Sequence, residues 1–440
     1  MPAASNTPPL RDTAIVCGAG MSGLLAAAVL AEHFRRVLIV ERDRLPKTPA
    51  LRNGVSQGAH VHTLNGFAGE GIEALLPGFT DELLAAGAVQ IRRNKDVWFH
   101  DPFGPTPIRD LEIDSPSMSR PLLEHVTRAR VAALPGVEFL DQCRVRSVTL
   151  DESQKVKSLL VATADGTQRS LQAELVIDCT GRATRLPGWL KDWGFGAVER
   201  QQLQIAMTYT SALFRPPAGW DWTPAACLIG PQPSIPRGGY VTPIEGGLWI
   251  VTLYGRGQDI APANLQGFVE WSRGLPHPVI HERLAQTKLA SDFHTYGLPT
   301  GRWFRYDLMD HFPGGILPLG EAICAYNPMY GQGIGLACAQ ALALQDGLRA
   351  RSGQDLNDLA SDYFAGCTAR NQLGWSIMET ADLMFATTEG ERPADIEARW
   401  QFARTLHDLL PDNPELHRQS LRVTHLLDPP STLERFKVMG

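Results

Sequence analysis

The sequence predicts a two-lobed α/β protein with a helical C-terminus, and three observations carry that expectation. A strand, a glycine-rich turn, a helix and a second strand follow one another close to the N-terminus. The stretch from about residue 200 to 305 is strand-like, rich in aromatic residues and broken by Pro and Gly turns. An apolar run then returns at Ile316–Leu319, and a Gly-rich turn leads from it into a helical segment at Gly333–Ala350.

Composition sets the outer limits. The 440 residues are 44% hydrophobic and 20% charged, enough for a large two-lobed body with a sizeable core. The formal charge is −6 and no run of Lys or Arg could track phosphates, which excludes nucleic acid as a partner. The seven cysteines are scattered singly, without C-x-x-C or zinc spacing. A disulfide framework and a metal site are therefore not expected, and a reducing, cytoplasmic setting is. Thr13 to Ala31 is uncharged and long enough to imitate a membrane span. Gly18, Gly20 and Gly23 interrupt it and a second strand follows, so no integral membrane segment is expected.

The elements follow in order from hydrophobic periodicity and turn chemistry. Residues 1–12 read as a loose tail, Thr13–Cys17 as a buried strand, Met21–Phe34 as a helix and Val37–Val40 as the next strand. Arg42–Gly58 reads as a long loop and Asn65–Leu76 as a helix. Ser119 is the expected N-cap of a helix through Ala133, with Pro121 in its first turn. Val137–Leu140, Arg144–Thr149, Val156–Ala162 and Arg169–Gln172 are expected to form one small sheet, and Leu175–Asp178 a further strand. The chain from Asp355 onward reads as mostly helical. The cofactor lobe then takes residues 1–85, 119–199 and 311–350. The second lobe takes strands from 86–118 and an antiparallel sheet at 200–310, and 351–440 supplies C-terminal helices.

Gly18-Ala19-Gly20-Met21-Ser22-Gly23 is G-x-G-x-x-G, set between an apolar strand and a helix. The first glycine permits the tight turn, the second lets the backbone approach a pyrophosphate, and the third lets helix and strand pack closely. The unpaired N–H groups at the helix start face the phosphates. Glu41, at the end of the second strand and followed by Arg42, is placed to accept hydrogen bonds from ribose hydroxyls. Strand, turn, helix, second strand and terminal acid coincide, which makes the dinucleotide reading far more specific than the motif alone.

Two later segments favour FAD over NAD. One is Leu175–Asp178 followed by Cys179-Thr180-Gly181-Arg182. The other is Ile316-Leu317-Pro318-Leu319-Gly320-Glu321-Ala322 with Asn327-Pro328-Met329-Tyr330-Gly331-Gln332-Gly333-Ile334-Gly335. With the fingerprint, the Arg52–His62 loop and Ser119-Arg120, they appear in the order seen in a known family. The chain resembles the flavoprotein monooxygenases related to para-hydroxybenzoate hydroxylase, most closely the branch of squalene epoxidase and bacterial polyether epoxidases. The resemblance spans residues 13–350 and implies a Rossmann-like FAD domain with an inserted antiparallel substrate sheet.

It also implies roles. Gly320 and Glu321 stand where the family has Gly-Asp, so Glu321 is expected on the ribityl hydroxyls, a solvated Glu being the other reading. Pro328, Gly331 and Gln332 are expected along the isoalloxazine ring, with Gly333 and Ile334 aiming the next helix at its pyrimidine edge. Arg120 takes the position of an arginine that contacts the phosphate or ribityl region, or is a surface charge on its helix. Backbone at Val145 is expected against the adenine. Arg52 and Gly54 belong to a loop that covers the flavin or moves with it, and Ser56 replaces a family Pro. His60 and His62 either face the flavin or pack the loop. No catalytic side chain is assigned; Pro328, Gly331, Gln332 and His60 are the flavin-adjacent candidates.

The chemistry implied is reduction of FAD by NAD(P)H, addition of O₂ at C4a, and transfer of one oxygen to an electron-rich substrate by epoxidation or hydroxylation. The aromatics of the second lobe, among them Trp98, Phe99, Tyr209, Tyr240 and Tyr254, suit an apolar polycyclic or polyene substrate of natural-product type. No second G-x-G-x-x-G marks an NAD(P)H domain, so the nicotinamide binds transiently or a separate flavin reductase delivers electrons. Three rivals stand beside this reading. A flavin halogenase is suggested by Trp220-Asp221-Trp222, although no convincing catalytic lysine follows the first βαβ unit. A geranylgeranyl-reductase-like flavoprotein and a non-catalytic FAD-binding protein are the others.

Overall fold

The computed structural model describes residues 10–436. A five-stranded parallel sheet forms the first lobe, in the order Ile316–Pro318, Leu175–Asp178, Arg11–Cys17, Phe34–Val40, Val137–Leu140. Its strands read as near-continuous apolar runs because helices cover the sheet. Ala14, Ile15 and Val16 are fully buried, as are Val37 and Ile39. The chain winds outward from Arg11–Cys17 through Phe34–Val40 and then returns to the opposite side at Leu175–Asp178. That reversal opens a crevice at the C-terminal end of the first strand, where ligands of such sheets bind.

The second lobe is a ten-stranded sheet built around the long strand Arg200–Arg215, which pairs with His294–Phe304 on one side and Leu248–Arg256 on the other. Arg237–Ile244, Ala226–Ile229 and Val97–Asp101 continue it, the last pair running parallel. Cys143–Leu150, Val156–Thr163 and Gln168–Leu171 form a separate antiparallel sheet. Helix Gly333–Ala350 packs on both helix Met21–Ala31 and helix Leu359–Asp382.

Several expectations are corrected. Val137–Leu140 belongs to the parallel sheet as its edge, not to the small sheet. The first helix stops at Ala31, and Phe34 already opens the next strand. Arg11 and Asp12 belong to the first strand, while the tail expected at residues 1–9 lies outside the described residues. The 200–305 stretch is not all sheet: Leu265–Ser272 and Val279–Leu284 are helices. The Thr13–Ala31 run is split between strand and helix, and among the described residues no helix is long and apolar enough to cross a membrane.

Candidate FAD and substrate site

One cavity of about 950 Å³ joins the crevice of the parallel sheet to the face of the large sheet. Its nucleotide end shows how each fingerprint glycine works. Gly18 has φ +110°, and a Cβ there would lie 2.6 Å from the Cys179 carbonyl oxygen. A Cβ on Gly23 would lie 1.9 Å from the Gly18 oxygen. At Gly20 a Cβ would meet no protein atom within 4 Å, so the room beside that backbone is left for a ligand. Gly20 caps helix Met21–Ala31 without a side-chain hydrogen bond, and no acid stands in its first turn. A phosphate there would meet free N–H donors and no acid of the helix itself.

Gly18, Gly20, Met21, Ser22, Glu41, Arg42, Arg52, Arg120 and Val145 all line the cavity. So do Glu321, Pro328, Gly331, Gln332, Gly333, Ile334 and His60. Ala19, Gly23 and Gly320 stand behind the wall, where they set its shape. Gly320 has φ +75°, and a Cβ on it would reach the Ser22 hydroxyl at 2.1 Å.

The charged residues are more tightly engaged than their loop positions suggest. Glu41 accepts the Ala19 N–H at 2.7 Å and the Asp43 N–H at 3.0 Å. Arg52 reaches Glu124 at 2.6 Å, Asp43 at 3.1 Å and Glu41 at 3.3 Å. Arg120 is buried on its helix and pairs with Glu124 at 3.2 Å, so the surface-charge reading is set aside. Burial depresses the Arg120 guanidinium, Glu124 opposes that, and the charge of Arg52 adds to it. Glu321 is one-third exposed, 3.9 Å from Arg182, with its carboxylate on the cavity wall.

The turn Asn327–Gln332 is fixed from outside the fingerprint. Asn327 is fully buried; it accepts the Tyr209 hydroxyl and donates to Asp382 at 3.1 Å. Asp382, itself fully buried, is ion-paired with Arg256. Gly331 has φ +65°, which closes the turn into helix Gly333–Ala350. Gln332 donates to the carbonyls of Tyr330 at 3.0 Å and Thr424 at 2.9 Å. A Cβ on Gly335 would lie 2.6 Å from Asn65, so that glycine lets helix and loop touch.

His60 is buried between the rings of Tyr209 and Tyr296, and its Nδ1 lies 2.7 Å from Ser211 Oγ. Thr252 Oγ1 accepts the Val61 N–H and lies 2.6 Å from Ser211 Oγ. Ser211 Oγ thus bridges His60 Nδ1 and Thr252 Oγ1, while His60 Nε2 has no partner among the described residues. Burial, aided by His294, pushes the imidazole down to about 4, so it is neutral near pH 7. His62 is likewise pushed to about 3, by burial and then by Arg120.

Sequence reasoning missed Asp382, Arg256, the Ser211–Thr252 pair and Arg93. Arg256 and Asp382 lie 126 positions apart, and only the fold joins them. Trp220 and Trp222 pack on Trp249, with ring centroids 4.7 and 4.2 Å away, and do not line the cavity.

The fold and this cradle are similar to those of FAD-dependent oxidoreductases. Residues 14–208 match the family model of FAD dependent oxidoreductases. The chain is 29% identical over 436 residues to Protein Rv3254 of Mycobacterium tuberculosis, an alignment that covers 95% of this chain and 90% of the relative. Among solved structures it is similar to p-nitrophenol 4-monooxygenase PnpA of Pseudomonas putida, with TM-score 0.67, 18% identity and coverage of 95% and 99% of the two chains. It is also similar to the flavin-dependent brominase Bmp2, with TM-score 0.69, 16% identity and coverage of 97% and 99%.

Proposed function

We propose that the protein is an FAD-dependent monooxygenase that places one oxygen atom of O₂ on a largely apolar organic substrate, with NAD(P)H or a separate reductase as electron source. The observation that carries this reading is the single cavity, which runs from the Gly20 backbone past the Asn327–Gln332 turn to the tyrosines of the large sheet. A reacting flavin and its substrate would share one continuous chamber.

When bound, FAD supplies the storage of electrons and the activation of oxygen. The chain's own residues bind, orient and exclude water. The helix at Met21 would hold the pyrophosphate, Glu41 and Arg42 the ribose, and the Val145 backbone the adenine. Glu321 would hold the ribityl hydroxyls. The N-terminus of helix Gly333–Ala350 has no acid in its first turn and would favour negative charge on a ring placed against it. The division into cofactor and substrate segments follows the same logic, with Tyr209, Tyr240 and Tyr254 as walls on the substrate side.

Epoxidation, as in the branch the sequence resembles, is favoured over phenol hydroxylation. Epoxidation needs no protein base, and His60, held at about 4, is a weak one. A halogenase is disfavoured because no lysine among the described residues lines the cavity. Lys95 instead pairs with Asp110 at 3.1 Å and is half exposed.

The test is to load the protein with FAD and follow NAD(P)H oxidation and O₂ uptake together against a panel of polyene and polycyclic compounds under ¹⁸O₂. One labelled oxygen in the product supports the reading. Reduction without oxygen incorporation, across the whole panel and with an added flavin reductase, overturns it in favour of a reductase.

A further inference from the structure

Arg93 is buried and lines the cavity, yet no carboxylate among the described residues lies within ion-pairing distance of it. Its Nη1 donates to the Tyr240 hydroxyl at 3.3 Å and its Nη2 to Ser115 Oγ at 3.1 Å, while Nε has no partner. Two neutral hydroxyls are a poor match for a guanidinium, which keeps its charge when buried and presents five donors in a fixed fork. Elsewhere in this chain buried arginines are answered. Arg52, Arg120 and Arg128 share Glu124, and Arg256 has Asp382. Arg283 spends its donors on the carbonyls of Pro224 and Ala225 and does not line the cavity. The acid nearest Arg93 in sequence, Asp96, accepts the Arg92 N–H at 2.8 Å, and Asp110 and Asp114 pair with the Arg92 side chain.

The surroundings reinforce this. His425 also lines the cavity; its Nδ1 accepts the Gly66 N–H at 2.9 Å, which leaves the proton on Nε2. Burial, and then the charge of Arg93, push that imidazole down to about 3, so it stays neutral and donates. His425 follows Thr424, whose carbonyl holds Gln332. This pole of the chamber therefore lies beside the turn expected along the flavin, and it holds a fixed cation and N–H donors, while Asp101 on the cavity wall is engaged by His407 at 2.8 Å.

We propose that Arg93 anchors a carboxylate of the substrate, with Tyr240 and His425 completing the pocket, so that the substrate is an apolar acid rather than a neutral hydrocarbon. This refinement rests on the chamber being a substrate chamber, but its test needs no turnover. Calorimetric titration of the FAD-loaded protein with 2-naphthoate, decanoate, the neutral 2-naphthylmethanol and sodium chloride reads the site directly. Wild type is expected to bind at least one carboxylate more tightly than the alcohol. Arg93→Met should weaken that carboxylate roughly 100-fold and leave the alcohol unchanged, and Arg93→Lys should fall between. Because Met removes an unpaired buried cation, the melting temperature of ligand-free R93M should stay level or rise.

Failure of wild type to bind either carboxylate, equal binding by R93M, or equal occupancy by chloride alone would each overturn the anchor. A melting temperature that falls in both Arg93 variants, with carboxylate affinity kept, would make Arg93 a structural residue. None of these results bears on oxygen incorporation, which is measured separately.

Discussion

The Tyr330 hydroxyl donates to Asp382 Oδ1 at 2.7 Å, so the last residue of helix Leu359–Asp382 holds the turn that borders the flavin chamber. The same carboxylate takes Asn327 from that turn and Arg256 from the large sheet. One buried acid thus ties three separate parts of the chain together.

Asp382→Ala would strand Arg256 as an uncompensated buried charge. The expected loss is about 3–5 kcal/mol, the usual result of removing one partner of such a pair. Denaturant unfolding of FAD-free protein measures it. A loss below about 1 kcal/mol would mean that the network is not closed as described.

Two of the three fingerprint glycines, Gly20 and Gly23, should respond differently to the same methyl group. Gly23→Ala puts a Cβ 1.9 Å from the Gly18 oxygen and should destabilise the fold by about 1–3 kcal/mol or more. Gly20→Ala meets no protein atom within 4 Å and has an ordinary φ of −75°. It should leave the melting temperature of FAD-free protein within about 2 °C and lower FAD affinity. Equal melting losses in both variants would count against the cradle.

Acid should unfold the protein early. His60 and His417 are held at about 4, and His62 and His425 at about 3, chiefly by burial. Each folded value lies below the unfolded one near 6.5, so the unfolded state binds more protons as pH falls. Stability contributed by the neutral forms is present above about pH 6.5 and drains away toward pH 4, by at most about 1.4 kcal/mol per pH unit per fully buried histidine. Denaturation midpoints at pH 7 and pH 5 report it, and H425Q should flatten the dependence.

His407 has the opposite sign. Its hydrogen bond to Asp101 raises it, against the opposing effect of burial. The pair joins the hairpin of Val97–Asp101 to helix Ile396–Leu409 at 2.8 Å. The stabilisation is full below about pH 6.5 and is lost as pH rises through the elevated folded value. His407→Gln should lower the melting temperature at pH 5.5 and have little effect at pH 9; the pair is partly exposed, so the difference should stay within about 1 kcal/mol.

The parts legible in sequence were those whose physics is local. Gly18 to Gly23 declare strand, turn and helix within a few residues, and Ser119 with Pro121 marks a helix start that the structure places at Arg120. Gly333–Ala350 is equally self-contained, bounded by a Gly-rich turn. Val137–Leu140 was assigned to the wrong sheet because a four-residue apolar strand looks alike in either one, and its partner Phe34–Val40 lies a hundred positions away. Arg93 sits in a stretch of polar residues that reads as surface. Its neighbours Tyr240 and Ser115 lie 147 and 22 positions away, which no local pattern announces.

The order of strands in the parallel sheet has a consequence for biosynthesis. Its edge strand Ile316–Pro318 is the last to be made, although it stands two places from Arg11–Cys17, the first. A ribosome must deliver most of the chain before that sheet can close, and the helix ending at Asp382 emerges later still. Nascent chains would therefore carry a half-built nucleotide crevice through most of translation, and cofactor capture would fall at its end.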